Sequence, residues 1–417
     1  MKSDRNFVAT RLAAAVFFAA LCLVGCGGAD TKAAKAYERG VAAESKGDSA
    51  AASADYARAI AAAEQSGAPE IAALAHARLG GMALRARDLA RALSHFEAGV
   101  VAARQAPDRS ELGSLLNNVG RVHKALGDDS AAESNYLEAV AEAHRVNNLT
   151  AEAAALNNLG AILRDRGETA RARDLYLRAL GVARVSADSL SIARALISIG
   201  DLEGAQNLTD DATEAYQQAI EAIQTVDPNA PEIGYAYLAK GRILDSLGDR
   251  PSAQRCFLLA QAQYRRAGDR AGEAATAAEL GGIAIEEGHM EEAINYLSEA
   301  APAMREGGHV EELSNVLVKL ALARGAAGDT GGAVVAYREA LEARVRLGDA
   351  GGAAMIYMNL GALFESVGDM MNAGVAFQQA LDALAAAGDT TAAREANAAI
   401  RRIKERGAAR LSGSPSR

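Results

Sequence analysis

Residues 156–180 read LNNLGAILRDRGETARARDLYLRAL. Two amphipathic helices fit this stretch. Leu156, Leu159 and Leu163 recur at helical spacing in the first half, and Leu175, Tyr176, Ala179 and Leu180 do so in the second. Gly167 stands where the first helix must stop, because a residue without Cβ takes the left-handed conformation that closes a helix end. Thr169 follows as the expected cap of the next helix. Neither helix can bury its apolar stripe alone, so further copies of the unit must supply the partner surface.

The copies are present. With Gly160 as a mark, matching positions are Gly40, Gly80, Gly120, Gly200, Gly241, Gly281, Ala321 and Gly361, a spacing of 40 residues with one step of 41. Twelve residues after each mark stands an alanine, from Ala52 to Ala373. Sixteen after stands a large apolar residue: Tyr56, Phe96, Tyr136, Tyr176, Tyr216, Phe257, Leu297, Tyr337 and Phe377. Nineteen after stands alanine in every copy except one, where it is Gly99. The small residues let two helices approach closely, and the aromatic is expected to fill the space between adjacent pairs. Gly-Asp steps such as Gly127-Asp128 and Gly368-Asp369 punctuate the pattern; glycine ends one helix and aspartate caps the next.

This pattern resembles the tetratricopeptide repeat, over residues 32–387. The resemblance implies an all-α, right-handed superhelical solenoid of antiparallel helix pairs, with nine repeats and a C-terminal capping helix at 388–407. The usual period is about 34 residues. A 40-residue period implies longer helices, as in the subfamily of kinesin light chains and Pins-type polarity adaptors. The family's tryptophan position holds Leu, Tyr, Ala or His here. Arg39 and Lys240 replace the apolar residue before the mark, so the first and sixth pairs are expected to pack less regularly. The 41-residue step falls on Asp227-Pro228-Asn229-Ala230-Pro231, a lengthened turn. Residues 408–417 read as a disordered basic tail.

The N-terminus reads as an address. Lys2, Arg5 and Arg11 precede an apolar run over 12–24, LAAAVFFAALCLV, too short to span a bilayer comfortably. Leu23-Val24-Gly25-Cys26 resembles the lipobox of bacterial lipoproteins, in which the signal (1–25) is cut away and the cysteine is acylated. Cys26 is then the lipidation site, and 26–31 a short linker. The absence of Asp at position 27 favours an outer-membrane lipoprotein facing the periplasm over retention in the inner membrane. Cys22 is lost with the signal, leaving Cys256 as the one free thiol.

Composition narrows the function classes. The chain has 417 residues, half of them hydrophobic and Ala-rich, with no Trp and 7 Pro, and a net charge of −9. That acidic balance speaks against nucleic acid as a partner. The sequence contains no P-loop, HExxH, nucleophile elbow or CxxC pair, so neither enzyme activity nor a cofactor is expected. Its six histidines, His76, His95, His123, His144, His289 and His309, read as scattered packing or surface residues. His123 and His144 are read as the pair sharing one repeat, at a spacing that is no metal-ligand signature.

What remains is a binding surface. In tetratricopeptide arrays the first helix of each pair lines the concave face, and positions three before, one after and four after the mark share one stripe. In the third repeat these are Asn117, Arg121 and Lys124; in the fourth they are Asn157, Ala161 and Arg164. Asn118 and Asn158 stand beside them, and Arg194 begins the fifth repeat on the same side. The resemblance to Pins-like and kinesin-light-chain-like members implies asparagines that grip an extended peptide backbone, since an amide both donates and accepts. Nearby Arg and Lys favour an acidic segment or a C-terminal carboxylate. Asp201, Asp245 and Glu365 make the stripe negative beyond. Asparagines that merely bridge neighbouring helices are the alternative. The preferred reading is a lipid-anchored periplasmic adaptor for a protein or peptide partner. The second is a structural, oligomer-forming envelope component with a dispensable groove.

Overall fold

The computed structural model describes the backbone of residues 30–411 and the side chains of 31–406. The signal, the lipobox with Cys26 and residues 412–417 lie outside the described residues. Every regular element among the described residues is a helix. In order they are α1 (Asp30–Ser45), α2 (Ser49–Ser66), α3 (Pro69–Arg85), α4 (Leu89–Gln105), α5 (Leu112–Ala125), α6 (Asp129–Arg145), α7 (Leu149–Asp165), α8 (Thr169–Val185) and α9 (Ser189–Ala205). There follow α10 (Thr209–Gln224), α11 (Pro231–Ser246), α12 (Arg250–Ala267), α13 (Arg270–Glu286), α14 (Met290–Gly307), α15 (Val310–Ala326), α16 (Thr330–Leu347), α17 (Ala350–Ser366), α18 (Met370–Ala387) and α19 (Thr390–Leu411). The chain divides into two compact units, one ending at Leu202 and one beginning at Glu203. In each, consecutive helices pack as pairs of the tetratricopeptide type.

The packing within a pair follows from the sequence register. A Cβ placed on Gly160 would lie 2.5 Å from the Tyr176 ring, and one on Gly120 would lie 2.6 Å from Tyr136. Gly40 against Tyr56, Gly80 against Phe96, Gly241 against Phe257 and Gly361 against Phe377 repeat this approach. The aromatic therefore packs first onto the glycine of its own pair, whereas the sequence reading places it between pairs. The close approach is kept beside Arg39 and Lys240, against the expectation of looser pairs there. Their heads reach outward instead, Arg39 Nε to Asp55 at 3.3 Å and Lys240 Nζ to Gln217 at 3.0 Å.

The turns also follow the punctuation. Asp48, Asp128, Asp249, Asp329, Asp349 and Asp369 each accept the backbone N–H three residues on. Asp269 and Asp389 do the same. Three caps escape the Gly-Asp signal: Asp88 follows Arg87, Asn148 follows Asn147, and Asp188 follows Ala187. Arg87 and Asn147 themselves take the left-handed φ (58° and 56°) that glycine takes elsewhere. Thr169 is not the cap of α8; Glu168 holds that place without a side-chain bond, and the Thr169 hydroxyl turns to the Gly167 carbonyl at 3.4 Å. The lengthened turn before α11 is held by the Gln263 amide, which donates to the Pro228 carbonyl. Helix α19 continues to Leu411, so the stretch read as a tail from 408 begins inside it.

Candidate functional site

In the N-terminal unit the first helices of successive pairs touch directly, α1 with α3 and α5 with α7. The residue three before one mark meets the residue two before the next. Arg78 Nε donates to the Tyr37 hydroxyl at 3.3 Å, and the Asn158 amide donates to Asn117 Oδ1 at 2.8 Å. A second rung joins the residue four after one mark to the residue five after the next. Glu44 accepts from Arg85 at 2.6 Å, and Lys124 Nζ lies 2.8 Å from Asp165. The C-terminal unit repeats this rung where Arg406 meets Glu365 at 2.7 Å.

These rungs sort the predicted site residues. Asn117 is buried and serves, with Asn158, as an inter-helix bridge. Asn118 accepts from Arg121 at 3.2 Å. Lys124 lies between Asp129 (3.0 Å) and Asp165, and these two carboxylates raise its ammonium pKa. Arg164 pairs with the adjacent Asp165 at 3.0 Å. Arg194 is exposed on α9. The structure thus brings Asn117, Asn158, Lys124 and the carboxylates of α6 and α7 together, and neutralises much of the expected positive patch. Arg121 differs: it is exposed, and among the described residues it forms no ion pair. Asn157 differs in the other direction. Its Oδ1 is buried with no donor in reach, as is the Tyr176 hydroxyl.

The negative stretch is also modified. Glu365 accepts from both Arg402 and Arg406 of α19, and the first of these pairings chiefly holds its carboxyl below the usual range. Asp245 moves the other way, pushed up by burial and then by Glu286.

The six histidines are not all scattered, and His123 and His144 are not alone in sharing a repeat, because His76 and His95 share the second. His123 and His144 do not meet; His123 lies near Asp128 at 3.9 Å, and His144 Nδ1 contacts Glu152 at 3.0 Å. His76 on α3 and His95 on α4 do meet, Nδ1 to Nδ1 at 3.3 Å with ring centroids 5.5 Å apart. Burial, and then the neighbouring His95, lower the pKa of His76 to about 4. Their separation of 19 residues, one at the tryptophan position and one beside the packing aromatic, is the signal that would have found them. Among the described residues no cluster of three or more metal-binding side chains occurs, and no helix is long and apolar enough to cross a membrane.

Comparisons with known proteins agree with this geometry. Residues 151–225, covering most of the fourth and fifth repeats, match the tetratricopeptide repeat family model. A signal-transduction ATPase with a tetratricopeptide repeat sensor from Pyrococcus horikoshii is 16% identical, with a TM-score of 0.60 over 80% of this chain and 50% of that one. Aspartyl phosphate phosphatase F from Bacillus subtilis is 15% identical, with a TM-score of 0.51 over 70% of this chain and 75% of that one. The Rap conjugation gene regulator of plasmid pLS20, solved with the Phr* peptide, is 14% identical, with a TM-score of 0.50 over 66% and 74%. No curated protein matches by sequence. Residues 151–225 thus match the tetratricopeptide repeat model, and the described helix pairs on either side repeat the same helix-pair fold.

Proposed function

We propose that this protein is a non-catalytic adaptor that captures a protein or peptide partner along the first-helix stripe of its N-terminal unit. The observation that carries this reading is the contrast within that stripe. Asn117, Asn158 and Lys124 are spent on rungs between helices and Arg164 pairs with Asp165, while Arg121 keeps an exposed cation without a carboxylate and the half-buried Asn157 beside it joins no rung among the described residues. The similar plasmid regulator was solved with a peptide, which supports the class of ligand. Arg121 favours an acidic or C-terminal carboxylate on the partner, because guanidinium and carboxylate match as a bidentate pair.

The lipobox reading adds the place. Cys26 anchors the protein to the envelope membrane, with the outer membrane and its periplasmic face preferred. Changing Cys26 to Ser should end labelling by a fatty-acid probe and move the protein from the membrane fraction to the periplasmic one; retained labelling would remove the anchor. For the stripe, Arg121→Ala and Asn157→Ala together should weaken partner capture at least tenfold at an unchanged melting temperature. Full capture by this double variant, or assembly through the outer helices regardless of it, would point to a structural component with a dispensable groove.

A further inference from the structure

We infer that His76 and His95 form a two-imidazole chelate for a borderline divalent transition metal of the Zn2+ or Cu2+ class. The inference does not depend on the proposed adaptor role. The two Nδ1 atoms face each other at 3.3 Å across the α3–α4 pair. With metal–nitrogen bonds of about 2.05 Å, that separation gives an N–metal–N angle of about 107°, close to tetrahedral. Both residues are only half-buried, so water or a further donor can complete the coordination.

Nothing in the scaffold requires histidine at either position. Four residues before the mark, other repeats carry Leu116, Leu156, Leu196 or Ala277; fifteen after it, they carry Leu175, Ala215 or Ala376. The pair coincides with a second departure. Gly99 is the one glycine among the alanines nineteen after the mark, and a Cβ there would lie 3.2 Å from the His76 Cβ and 2.8 Å from Leu115. The repeat that holds two imidazoles is therefore the repeat that gave up a methyl group beside one of them.

The electrostatics suit a ligand pair rather than a charged one. Burial lowers the pKa of both rings, so both are neutral at pH values where an ordinary histidine begins to protonate. Metal ligation requires neutral imidazole with Nδ1 unprotonated. The single proton held between the facing Nδ1 atoms shifts to Nε2 of its own ring on binding, with no net proton released. Arg91 near His95 opposes a dication, and only two protein ligands are present. Affinity should accordingly be weaker than in a closed four-ligand site.

Titration of the full chain with Zn2+ by calorimetry and by thermal melting tests the chelate. Saturable binding of one equivalent is expected, with a rise in melting temperature, and copper should show two nitrogen ligands by electron paramagnetic resonance. The comparison is His76→Leu with His95→Leu, which copies Leu156 and Leu175 of the fourth repeat. That double variant should fold and lose at least tenfold in affinity. If it does not fold, His95→Asn alone must show the same loss. Absence of saturable binding to the wild type would overturn the inference, as would equal binding by the variants, which would place the metal at the exposed histidines.

Discussion

Tyr176 and Tyr56 hold the same register position, each lying on the glycine sixteen residues earlier, yet their hydroxyls meet different fates. The Tyr56 hydroxyl donates to Glu44 at 2.7 Å, whereas that of Tyr176 is buried without a partner. An unmet buried hydroxyl costs about 1–3 kcal/mol, and a satisfied one contributes about 1 kcal/mol. Tyr176→Phe should therefore raise stability by about 1 kcal/mol in denaturant melts, and Tyr56→Phe should lower it by a similar amount. Phe96, Phe257 and Phe377 show that the position accepts the apolar ring. The asparagines divide in the same way. Asn117→Ala strands the Asn158 amide and should cost about 1 kcal/mol, while Asn157→Ala removes an orphaned acceptor and should be neutral or stabilising. In the sequence these asparagines look alike. Nothing in the string tells which one spends its amide on the next helix, because that depends on the residue 41 positions later, Asn158 for Asn117.

At the scale of the element, the helices and their ends were legible because glycine, aspartate and the apolar stripe each carry a local signal. Turns built without glycine were less so. Ala187 closes α8 with a φ of 50°, a conformation that costs an L-residue with a Cβ about 1–2 kcal/mol. Ala187→Gly should recover about 0.5–1 kcal/mol after the added freedom of the unfolded chain is subtracted, read as a higher melting temperature. The α3–α4 pair carries a pH dependence. His76 has a folded-state pKa near 4, below its unfolded value of about 6.5, so the unfolded chain binds more protons between these limits. Stability is complete above about pH 6.5 and falls as the pH drops toward 4, by at most about 3 kcal/mol from this group. His95 and Arg91 face the same region and add to the penalty for a proton. His76→Leu should flatten this part of the acid limb; an unchanged limb would mean that the ring is charged in the fold.

Across the whole molecule, the repeated unit was readable from nine marks in register, and the described helices follow them, with a glycine against a ring at Gly40, Gly80, Gly120, Gly160, Gly241 and Gly361 and against Leu297 at Gly281. The site was less readable, for a physical reason. The stripe that would face a ligand is also where successive first helices touch, so a polar residue there can serve either purpose. Lys124 shows the ambiguity: its charge suggests a ligand site in sequence, and in space it lies between Asp129 and Asp165. Arg121 and Asn157 are what remains once the rungs are assigned. Partner capture along this stripe is checked by a photocrosslinking residue at Ala161, one residue after the mark of the fourth repeat, compared with the same residue at Leu177, exposed on α8. In intact cells, discrete partner adducts from position 161 should disappear when Arg121 and Asn157 become Ala, and none from position 177 should depend on these residues. Adducts at 161 that survive the double substitution, or partner adducts arising only at 177, would contradict it.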